Sequence, residues 1–218
     1  MKDLLYEQVA RIGKAVSSPK RLELLELLAQ SEKPVEVLAS ELSVDIKLAS
    51  AHLKVLKEAR LVESKREGKY MVYRLSGSDV AQLWIMLRQV AGAHLAELRL
   101  ALEQMVTDPS QLASVGRQAL LDQARRGDIV VIDVRPRAEY EAAHLPFARS
   151  MPLSEIEQRL AELPPGKEIV AYCRGPFCLM SDEAVKLLAR RGFRMRKITD
   201  GVVEWRAAGM PLETGLAG

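Results

Sequence analysis

The segment "EIVAYCRGPFCLMSDEAVKLLARRGF" (residues 168–193) is the part of the sequence that indicates the fold of the second half of the chain most clearly. It begins with a short apolar run, which predicts a buried strand, and it closes with apolar residues at helical spacing, which predict a helix ending near Gly192. The loop between them holds both cysteines of the 218-residue chain, Cys173 and Cys178. Because Cys173 directly follows the strand, it lies at a carboxyl strand end, where α/β domains form their sites.

The neighbouring segments continue this alternation of strands and helices. The predicted elements are a strand in "DIVVIDVR" (128–135), a helix in "RAEYEAAH" (137–144), a helix in "SEIEQRLAEL" (154–163) that is capped by Ser154, and a strand in "MRKIT" (195–199). Buried strands that alternate with helices indicate an α/β domain with a mostly parallel sheet. We place this domain at residues 117–218.

The loop after the strand favours an anion. Gly175 permits unusual backbone angles and Pro176 limits flexibility, so the loop amides can point inward. These amides, the following helix N-terminus and nearby Arg174 are expected to lower the pKa of the Cys173 thiol and make it a nucleophilic thiolate. The alternative is an inert cysteine buried on a core strand.

Composition limits the class of protein. The chain is 48% hydrophobic and 28% charged, which is typical of a soluble protein, and its length suits two small domains. It has no apolar run near the roughly 18 residues of a membrane span and no signal peptide pattern, so we expect a cytoplasmic protein without a membrane partner. In that reducing compartment two cysteines indicate redox chemistry, nucleophilic chemistry or metal binding rather than a permanent disulfide.

Positive charge is concentrated in one segment of the first half. Residues 47–74 carry eight cations and three anions, a surplus of five, whereas the formal net charge of the whole chain is only +3. Such a basic stripe is typical of a nucleic-acid footprint, although solvated basic faces are also common.

The segment before and within this stripe predicts two short helices joined by a tight turn. Ser18-Pro19 begins the preceding helix, Pro34 begins "PVEVLASEL" (34–42), and Asp45 caps "IKLASAHLKVLKEA" (46–59). The last helix should bury Ile46, Ala49, Leu53 and Leu56 and present Lys47, Leu48, Ser50, Ala51 and Lys54 on the opposite face. This arrangement is typical of a helix-turn-helix whose second helix enters the major groove. His52 either packs within the domain or contacts DNA.

A β-hairpin is predicted next, in "LVESKREGKYMVYRL" (61–75) around Glu67-Gly68. Its tip carries Lys65, Arg66 and Lys69, which we expect to contact phosphates beside the groove.

A long helix is predicted from Asp79 to about Met105, with an apolar face too wide for one small domain to cover. The face consists of Leu83, Trp84, Leu87, Val90, Ala91, His94, Leu95, Leu98 and Leu102. Together with the amphipathic helix "LLYEQVARIGKAV" (4–16), it predicts a homodimer interface, since two-fold symmetric operators require two recognition helices. The segment "TDPSQLASVG" (107–116) is the predicted linker, which assigns residues 1–106 to a mainly α, winged helix-turn-helix DNA-binding and dimerisation domain.

This first half resembles the ArsR family of winged-helix repressors. The matching pieces are "SSPKRLELLELLA" (17–29), "SAHLKVLKEARLVESKREGKYMVYRL" (50–75) and the helix that follows. The resemblance implies a homodimeric repressor that binds a double-stranded DNA operator and releases it when an inducer binds.

The chain departs from the metal-sensing members of that family. "KPVEVLA" (33–39) has no cysteine pair, and of the family's zinc ligands on the last helix only His94 and Glu97 are present, because Ala81 and Leu83 occupy the two earlier positions. We therefore predict no metal and no cofactor, and an interface role for His94.

The second half, residues about 112–213, resembles the rhodanese domain. The matching pieces are "VVIDVRPRAEYEAAHLP" (130–146), "IVAYCRGPFC" (169–178) and "ITDGVVEWRAAGMPL" (198–212). The resemblance implies that Cys173 takes a sulfane sulfur from a donor, holds it as a persulfide and passes it on. It also implies that Asp133 and Arg135 brace the loop formed by Cys173, Arg174, Gly175, Pro176, Phe177 and Cys178. Glu139 and His144 belong to the same signature, and for both we favour a structural role over a catalytic one.

Cys178 stands where many single-domain rhodaneses have an arginine. This departure weakens recognition of thiosulfate and favours polysulfide or a low-molecular-weight persulfide as donor, while the short loop argues against phosphate esters. Cys178 is either a resolving thiol that attacks a persulfide on Cys173, a packing residue at the helix start, or one of two ligands to a soft metal or arsenite.

Joined in one chain, the halves predict a transcriptional regulator of sulfur metabolism, with the rhodanese domain as the sensor of reactive sulfur. The alternative is a thiosulfate or polysulfide sulfurtransferase whose winged helix only tethers or autoregulates it. A third reading is a docking module that accepts sulfur from a partner protein.

Overall fold

The computed structural model describes residues 1–105, 112–113 and 115–215 and divides into two compact units, Met1–Val90 and Ala91–Gly218. Most of the predicted linker, residues 107–111 and 114, lies outside the described residues. The predicted domain limits at 106 and 117 therefore stay predictions. No helix of the described ranges is both long enough and apolar enough to cross a membrane.

The first unit is a helical bundle with a small antiparallel sheet. Its elements are α1 (Lys2–Val16), α2 (Pro19–Gln30), β1 (Lys33–Pro34), α3 (Val35–Glu41), α4 (Ile46–Glu58), β2 (Val62–Glu67), β3 (Tyr70–Leu75) and α5 (Ser78–His94), whose last turn belongs to the second unit. The sheet order is β1-β3-β2, and the β2–β3 hairpin pairs Glu67 with Tyr70, as predicted. The core lies between α2, α3 and α4.

The predicted helix starts are confirmed, with two corrections in detail. Asp45 caps α4, since its Oδ1 accepts from the Leu48 N–H at 2.8 Å. Ser18 occupies the N-cap of α2 with Pro19 after it, but its side chain makes no capping hydrogen bond. The buried stripe of α4 holds for Ala49, Leu53 and Leu56, whereas Ile46 is 50% exposed because it stands at the first helical residue, one turn before the part that packs on the core.

The predicted long helix is two helices, α5 and α6 (Ala96–Met105), which meet at Leu95. The backbone hydrogen bonds continue through the junction: the Leu95 N–H donates to Ala91 O at 2.8 Å and the Arg99 N–H donates to Leu95 O at 3.3 Å. The junction is therefore a local distortion of a helical path. Gly92 lowers helix propensity just before it.

The second unit contains a four-stranded, fully parallel sheet of order β5-β4-β6-β7, which confirms the predicted α/β class. After α6 its elements are α7 (Arg117–Arg126), β4 (Ile129–Asp133), α8 (Arg137–Ala142), β5 (Arg149–Ser150), β6 (Glu168–Tyr172), α9 (Met180–Arg190), β7 (Arg194–Lys197) and α10 (Val202–Ala207). Alternate residues of the central strands enter opposite cores, as a strand's period of two requires: Val131 and Val170 on one face, Ile132 and Ala171 on the other.

The predicted helix at 154–163 is wrong. The segment forms two short 3₁₀ turns, Leu153–Gln158 and Leu160–Glu162, and Pro152 rather than Ser154 precedes the first. Ile156 is buried and Leu153 and Leu160 pack partly against the same core, so the apolar spacing that predicted an α-helix is met here by two tighter turns. The sequence analysis also did not identify β1, α7, β5 and α10.

Candidate functional site

Both cysteines lie on one turn between β6 and α9. Cys173 is the first residue after β6, and Gly175 has a φ of 147°, a conformation that a side chain disfavours. The Cys178 N–H donates to Gly175 O at 3.1 Å, which closes the turn just before α9 begins at Met180. The loop therefore curls back on the strand end as the sequence predicted.

The sulfur of Cys173 lies inside this turn and is only 2% exposed. Its Sγ is 3.3 Å from Ser181 Oγ and 3.4 Å from Cys178 O. A hydrogen bond from the Cys178 thiol lowers the pKa of Cys173 to about 6, with further help from the Ser181 hydroxyl, the Ser181 N–H and the Gly175 N–H, and against the effect of burial. The Cys173 group is therefore a thiolate at neutral pH.

Cys178 is the complementary partner in this pair. Its thiol donates to the Cys173 sulfur, and this hydrogen bond, together with burial, raises the pKa of Cys178 above its usual range. Neither of these two cysteines is in a disulfide. The two sulfurs thus share one proton, with the negative charge on Cys173.

Arg174, which we expected to favour the Cys173 thiolate, forms an ion pair with Glu139 on α8. Nη2–Oε1 is 2.6 Å, and Nε lies 3.1 Å from both carboxylate oxygens. Glu139 is fully buried, and the Arg174 side chain is 15% exposed. This buried ion pair links the second residue of the loop to α8.

Asp133 and Arg135 brace the strand that precedes the loop. The two side chains are fully buried and paired, with Arg135 Nη2 2.6 Å from Asp133 Oδ2. Asp133 also accepts from the Tyr172 hydroxyl at 2.6 Å, and Arg135 donates to Ala143 O at 2.7 Å. Burial opposes the charge of Arg135, but Asp133 raises the pKa of this guanidinium and keeps it charged. Tyr172, the residue before Cys173, is fixed by this network and was not identified from the sequence.

His144 has the structural position that was expected. It is buried, its ring stacks on Tyr140 with centroids 3.7 Å apart, and its Nδ1 is 2.8 Å from Tyr140 O. Its Nε2 is 3.7 Å from Glu213 Oε2.

The candidate DNA-binding face lies in the other unit, on α4. Lys47, Leu48, Ala51 and Lys54 are exposed, while Ser50 and His52 are half-buried. All six stand on the helix that follows the tight turn. Lys47, Ala51 and Lys54 lie opposite the buried Ala49, Leu53 and Leu56, whereas His52 lies beside that buried stripe.

The hairpin tip carries the three predicted cations in different environments. Lys65 forms ion pairs with Glu32 at 2.9 Å and Glu67 at 2.8 Å, whereas Lys69 lies over the Tyr70 ring at 5.2 Å. Arg66 Nε donates to Gly68 O at 3.1 Å.

Comparison with known proteins identifies both halves. Residues 18–64 match the model of the bacterial regulatory protein, arsR family, and residues 117–208 match the rhodanese-like domain. The HTH-type transcriptional regulator Rv0324 of Mycobacterium tuberculosis is 41% identical over 214 residues, which cover 98% of this chain and 94% of that protein. The chain belongs to the ArsR-family transcriptional regulators that carry a C-terminal rhodanese domain.

Other relatives match one half of this ArsR–rhodanese regulator. A sulfurtransferase of Allochromatium vinosum is 29% identical over 86 residues, 39% of this chain and 78% of that protein. The solution structure of the homodimeric winged helix-turn-helix DNA-binding domain of Mb0332 from Mycobacterium bovis is 45% identical, with a TM-score of 0.42, and the match covers 44% of this chain and 89% of that chain.

Gly201 of the rhodanese domain supports the cysteine loop and was not predicted to do so. A Cβ atom added there would lie 2.5 Å from Arg174 O and 2.6 Å from Cys173 O. Its N–H donates to Glu204 Oε2 at 2.8 Å, at the start of α10. Only a glycine lets this turn approach the loop backbone so closely. The motif "ITDGVVEW" contains the signal, but the sequence does not reveal which backbone it approaches.

A small cavity opens beside the loop, with a volume of about 140 Å³. It is lined by Leu102, Gly175, Pro176, Cys178, Ser181, Asp182, Lys197, Ile198 and Thr199. Cys173 does not line the cavity. The lining does include Cys178 and Ser181, and both of these residues contact the Cys173 sulfur. Phe177 is half-buried at the loop end. The described residues contain no group of three ligating side chains that could hold a metal ion.

Proposed function

We propose that this ArsR–rhodanese regulator represses genes of sulfur metabolism and senses reactive sulfur by forming a persulfide at Cys173. The observation that carries this proposal is the buried thiol–thiolate pair, in which Cys178 donates to a Cys173 sulfur whose pKa is about 6. A thiolate is the form of cysteine that attacks a sulfane sulfur. The chain's reactive sulfurs both lie outside the DNA-binding half, as a separate sensor domain requires.

The transfer step follows from the proton that the pair shares. With a hydrogen polysulfide, the Cys173 thiolate attacks the terminal SH sulfur, a new S–S bond forms, and the bond to the rest of the chain breaks. The electron pair leaves on the shortened polysulfide, which takes the proton of the Cys178 thiol. The products are a Cys173 persulfide, a shortened hydrogen polysulfide and a Cys178 thiolate.

Cys178 is then placed to act as the resolving thiol. Its thiolate attacks the Cys173 sulfur of the persulfide, a disulfide forms, and hydrosulfide leaves with the bonding electron pair. The two thiols are thereby oxidised and the sulfane sulfur is reduced. A short-lived persulfide suits a sensor better than a sulfur carrier, because the product is a stable change of loop structure.

DNA binding is proposed for the exposed face of α4 and the hairpin tip. The face presents Lys47, Leu48, Ser50, Ala51, His52 and Lys54 towards the major groove, and Lys65, Arg66 and Lys69 lie towards the flanking phosphates. Of these cations Lys69 is freer to reach DNA than Lys65, which Glu32 and Glu67 hold.

A homodimer is proposed as the binding form. Leu4, Leu5, Tyr6 and Val9 on α1 are each 56% or more exposed, and Val90 on α5 is 50% exposed, which is unusual for apolar side chains that face only water. The Mb0332 domain, 45% identical in sequence to this part of the chain, is described as homodimeric. The proposed interface lies along α1, α5 and α6 and includes His94.

A backbone contact connects the cysteine site to the end of the predicted linker. The Ala113 N–H donates to Lys197 O at 2.8 Å, and Leu112 pairs with Lys197 in a parallel bridge. Lys197 also lines the cavity beside the loop. We propose that a change at the loop alters this pairing and thereby the conformational equilibrium of the DNA-binding dimer. The shift is limited by the difference in free energy of the modified loop between the two conformations.

A reporter gene under the operator tests the proposal. Polysulfide should change expression in cells with the natural regulator and leave it unchanged with Cys173→Ser, because the variant has no thiolate to modify. Immunoblotting should show equal amounts of both proteins. An equal response of Cys173→Ser to polysulfide refutes a sensor role for Cys173.

A sulfurtransferase with a tethering DNA-binding domain is the second candidate, and it is favoured by the similarity to the Allochromatium vinosum sulfurtransferase. Turnover separates the two functions. Many sulfur atoms transferred to cyanide or a thiol per protein molecule support the enzyme, whereas one loading event per molecule together with altered DNA affinity supports the sensor.

A further inference from the structure

We propose that the cavity beside the cysteine loop binds a short inorganic polysulfide as a monoanion and that Lys197 is the cation that holds it. The proposal rests on the proposed function, because it names the donor and its binding site. It gives Lys197, which lies outside both the cysteine loop and the DNA-binding face, a role in binding the donor.

The cavity has access to the reactive sulfur through its wall. Two of its lining side chains, Cys178 and Ser181, are the ones that contact the Cys173 sulfur. A donor in the cavity therefore lies against the two side chains that contact the Cys173 sulfur. In the proposed site, rotation of the Cys178 side chain gives the donor access to the thiolate.

The cation in the wall is Lys197, the last residue of β7. It is only 7% exposed, and its ammonium pairs with Asp182 in the first turn of α9. An ammonium has three N–H donors, so it can bind a second acceptor beside Asp182. Thr199, two residues further along the chain, adds a hydroxyl donor. These groups favour an anionic end on the ligand.

The size of the cavity restricts the ligand. Its volume of about 140 Å³ is below the roughly 300–1,000 Å³ of pockets for drug-sized molecules, so a chain of a few sulfur atoms fits and a peptide persulfide does not.

The charge and the wall chemistry restrict it further. Asp182 already balances Lys197, so a dianion such as thiosulfate brings a second negative charge that the carboxylate repels. The apolar part of the cavity wall consists of Leu102, Pro176 and Ile198. That surface suits a weakly hydrated sulfur chain better than a sulfonate group with three strong acceptor oxygens.

The test measures, by mass spectrometry, the rate at which the peptide with Cys173 and Cys178 becomes loaded, counted as persulfide plus disulfide, against the concentration of inorganic polysulfide. Thr199 is exposed at the cavity edge, so its replacement leaves the core intact. Thr199→Asp, which adds a negative charge, should raise the half-saturating polysulfide concentration about tenfold or more, and the matched neutral variant Thr199→Asn should raise it less than threefold. The rate at which uncharged iodoacetamide alkylates Cys173 should differ from that of the natural protein by less than twofold in either Thr199 variant.

A second variant tests Lys197 itself. Lys197→Met with Asp182→Asn replaces the ion pair by neutral side chains of similar size, so no buried charge is left without a partner. The half-saturating polysulfide concentration should again rise about tenfold or more. Cysteine persulfide and thiosulfate serve as the other donors, and the natural protein should need a higher concentration of each than of polysulfide.

The outcomes separate the two proposals. Unchanged half-saturation in Thr199→Asp and in the double variant overturns the cavity site, as does a lower half-saturating concentration for thiosulfate than for polysulfide. In those cases the sensor function still stands if loading changes DNA affinity. If none of the three donors loads the natural protein, both proposals fail.

Discussion

Replacing Cys178 by alanine should raise the pKa of Cys173. The hydrogen bond from the Cys178 thiol is the largest of the effects that lower this pKa to about 6. A hydrogen bond to a charged group contributes about 1.5–3 kcal/mol, and one pKa unit corresponds to 1.36 kcal/mol, so its loss should raise the pKa by about 1–2 units, to about 7–8. The Ser181 hydroxyl and the loop amides still donate, which prevents a complete return to the free value.

The assay is a titration of the ultraviolet absorbance of the thiolate against pH, which requires no reagent to reach the buried sulfur. Cys173→Ser gives the background, and Cys178→Ser is the matched control, because its hydroxyl still donates and should keep the midpoint near that of the natural protein. Reaction rates are a poorer readout, since a thiolate becomes a weaker nucleophile as its pKa falls. A midpoint in Cys178→Ala within about 0.3 unit of the natural protein refutes the shared-proton pair.

Two further predictions concern the loop support and the DNA face. Gly201→Ala forces a Cβ atom against Arg174 O and should lower the free energy of unfolding of the rhodanese domain, measured in urea, by about 1–3 kcal/mol. Gly116→Ala is the control, because no atom lies within 4 Å of a Cβ at that position, and it should cost less than about 1 kcal/mol. Equal stability of the two variants contradicts the close approach. Lys69→Ala should weaken DNA binding across sequences and reduce the salt slope by about one, while Lys65→Ala should do less because two glutamates already hold this lysine; equal losses contradict this distinction.

The spacing of apolar residues was enough to predict helices with one buried face and strands that are buried on both faces. The capped helix α4 and the strands β4 and β6 are of this kind, since Ala49, Leu53 and Leu56 follow the helical period and residues 129–133 are all buried. In segment 154–163 the helical spacing of apolar residues is met by two short 3₁₀ turns, so spacing alone does not distinguish such turns from an α-helix.

The site residues that are close together in the sequence were predicted, whereas contacts between residues far apart in the sequence were not. Cys173, Cys178 and the turn between them follow from local sequence, whereas the partner of Arg174 lies 35 residues away on α8. The sequence places Arg174 beside the thiol, but it does not show the buried carboxylate of Glu139 with which Arg174 pairs. Lys197 was hidden for a similar reason, because a lysine in a short strand gives no indication that it is buried against Asp182.

The proposed sensor couples sulfur chemistry at Cys173 to DNA binding. Fluorescence anisotropy measures this coupling as the affinity of the full chain for its own upstream DNA, with and without polysulfide, while mass spectrometry follows the peptide that contains both cysteines. The affinity should change in step with formation of the persulfide or the disulfide, by about 5-fold or more, and Cys173→Ser should show no change. A DNA affinity that stays constant while the peptide is fully modified contradicts the sensor proposal.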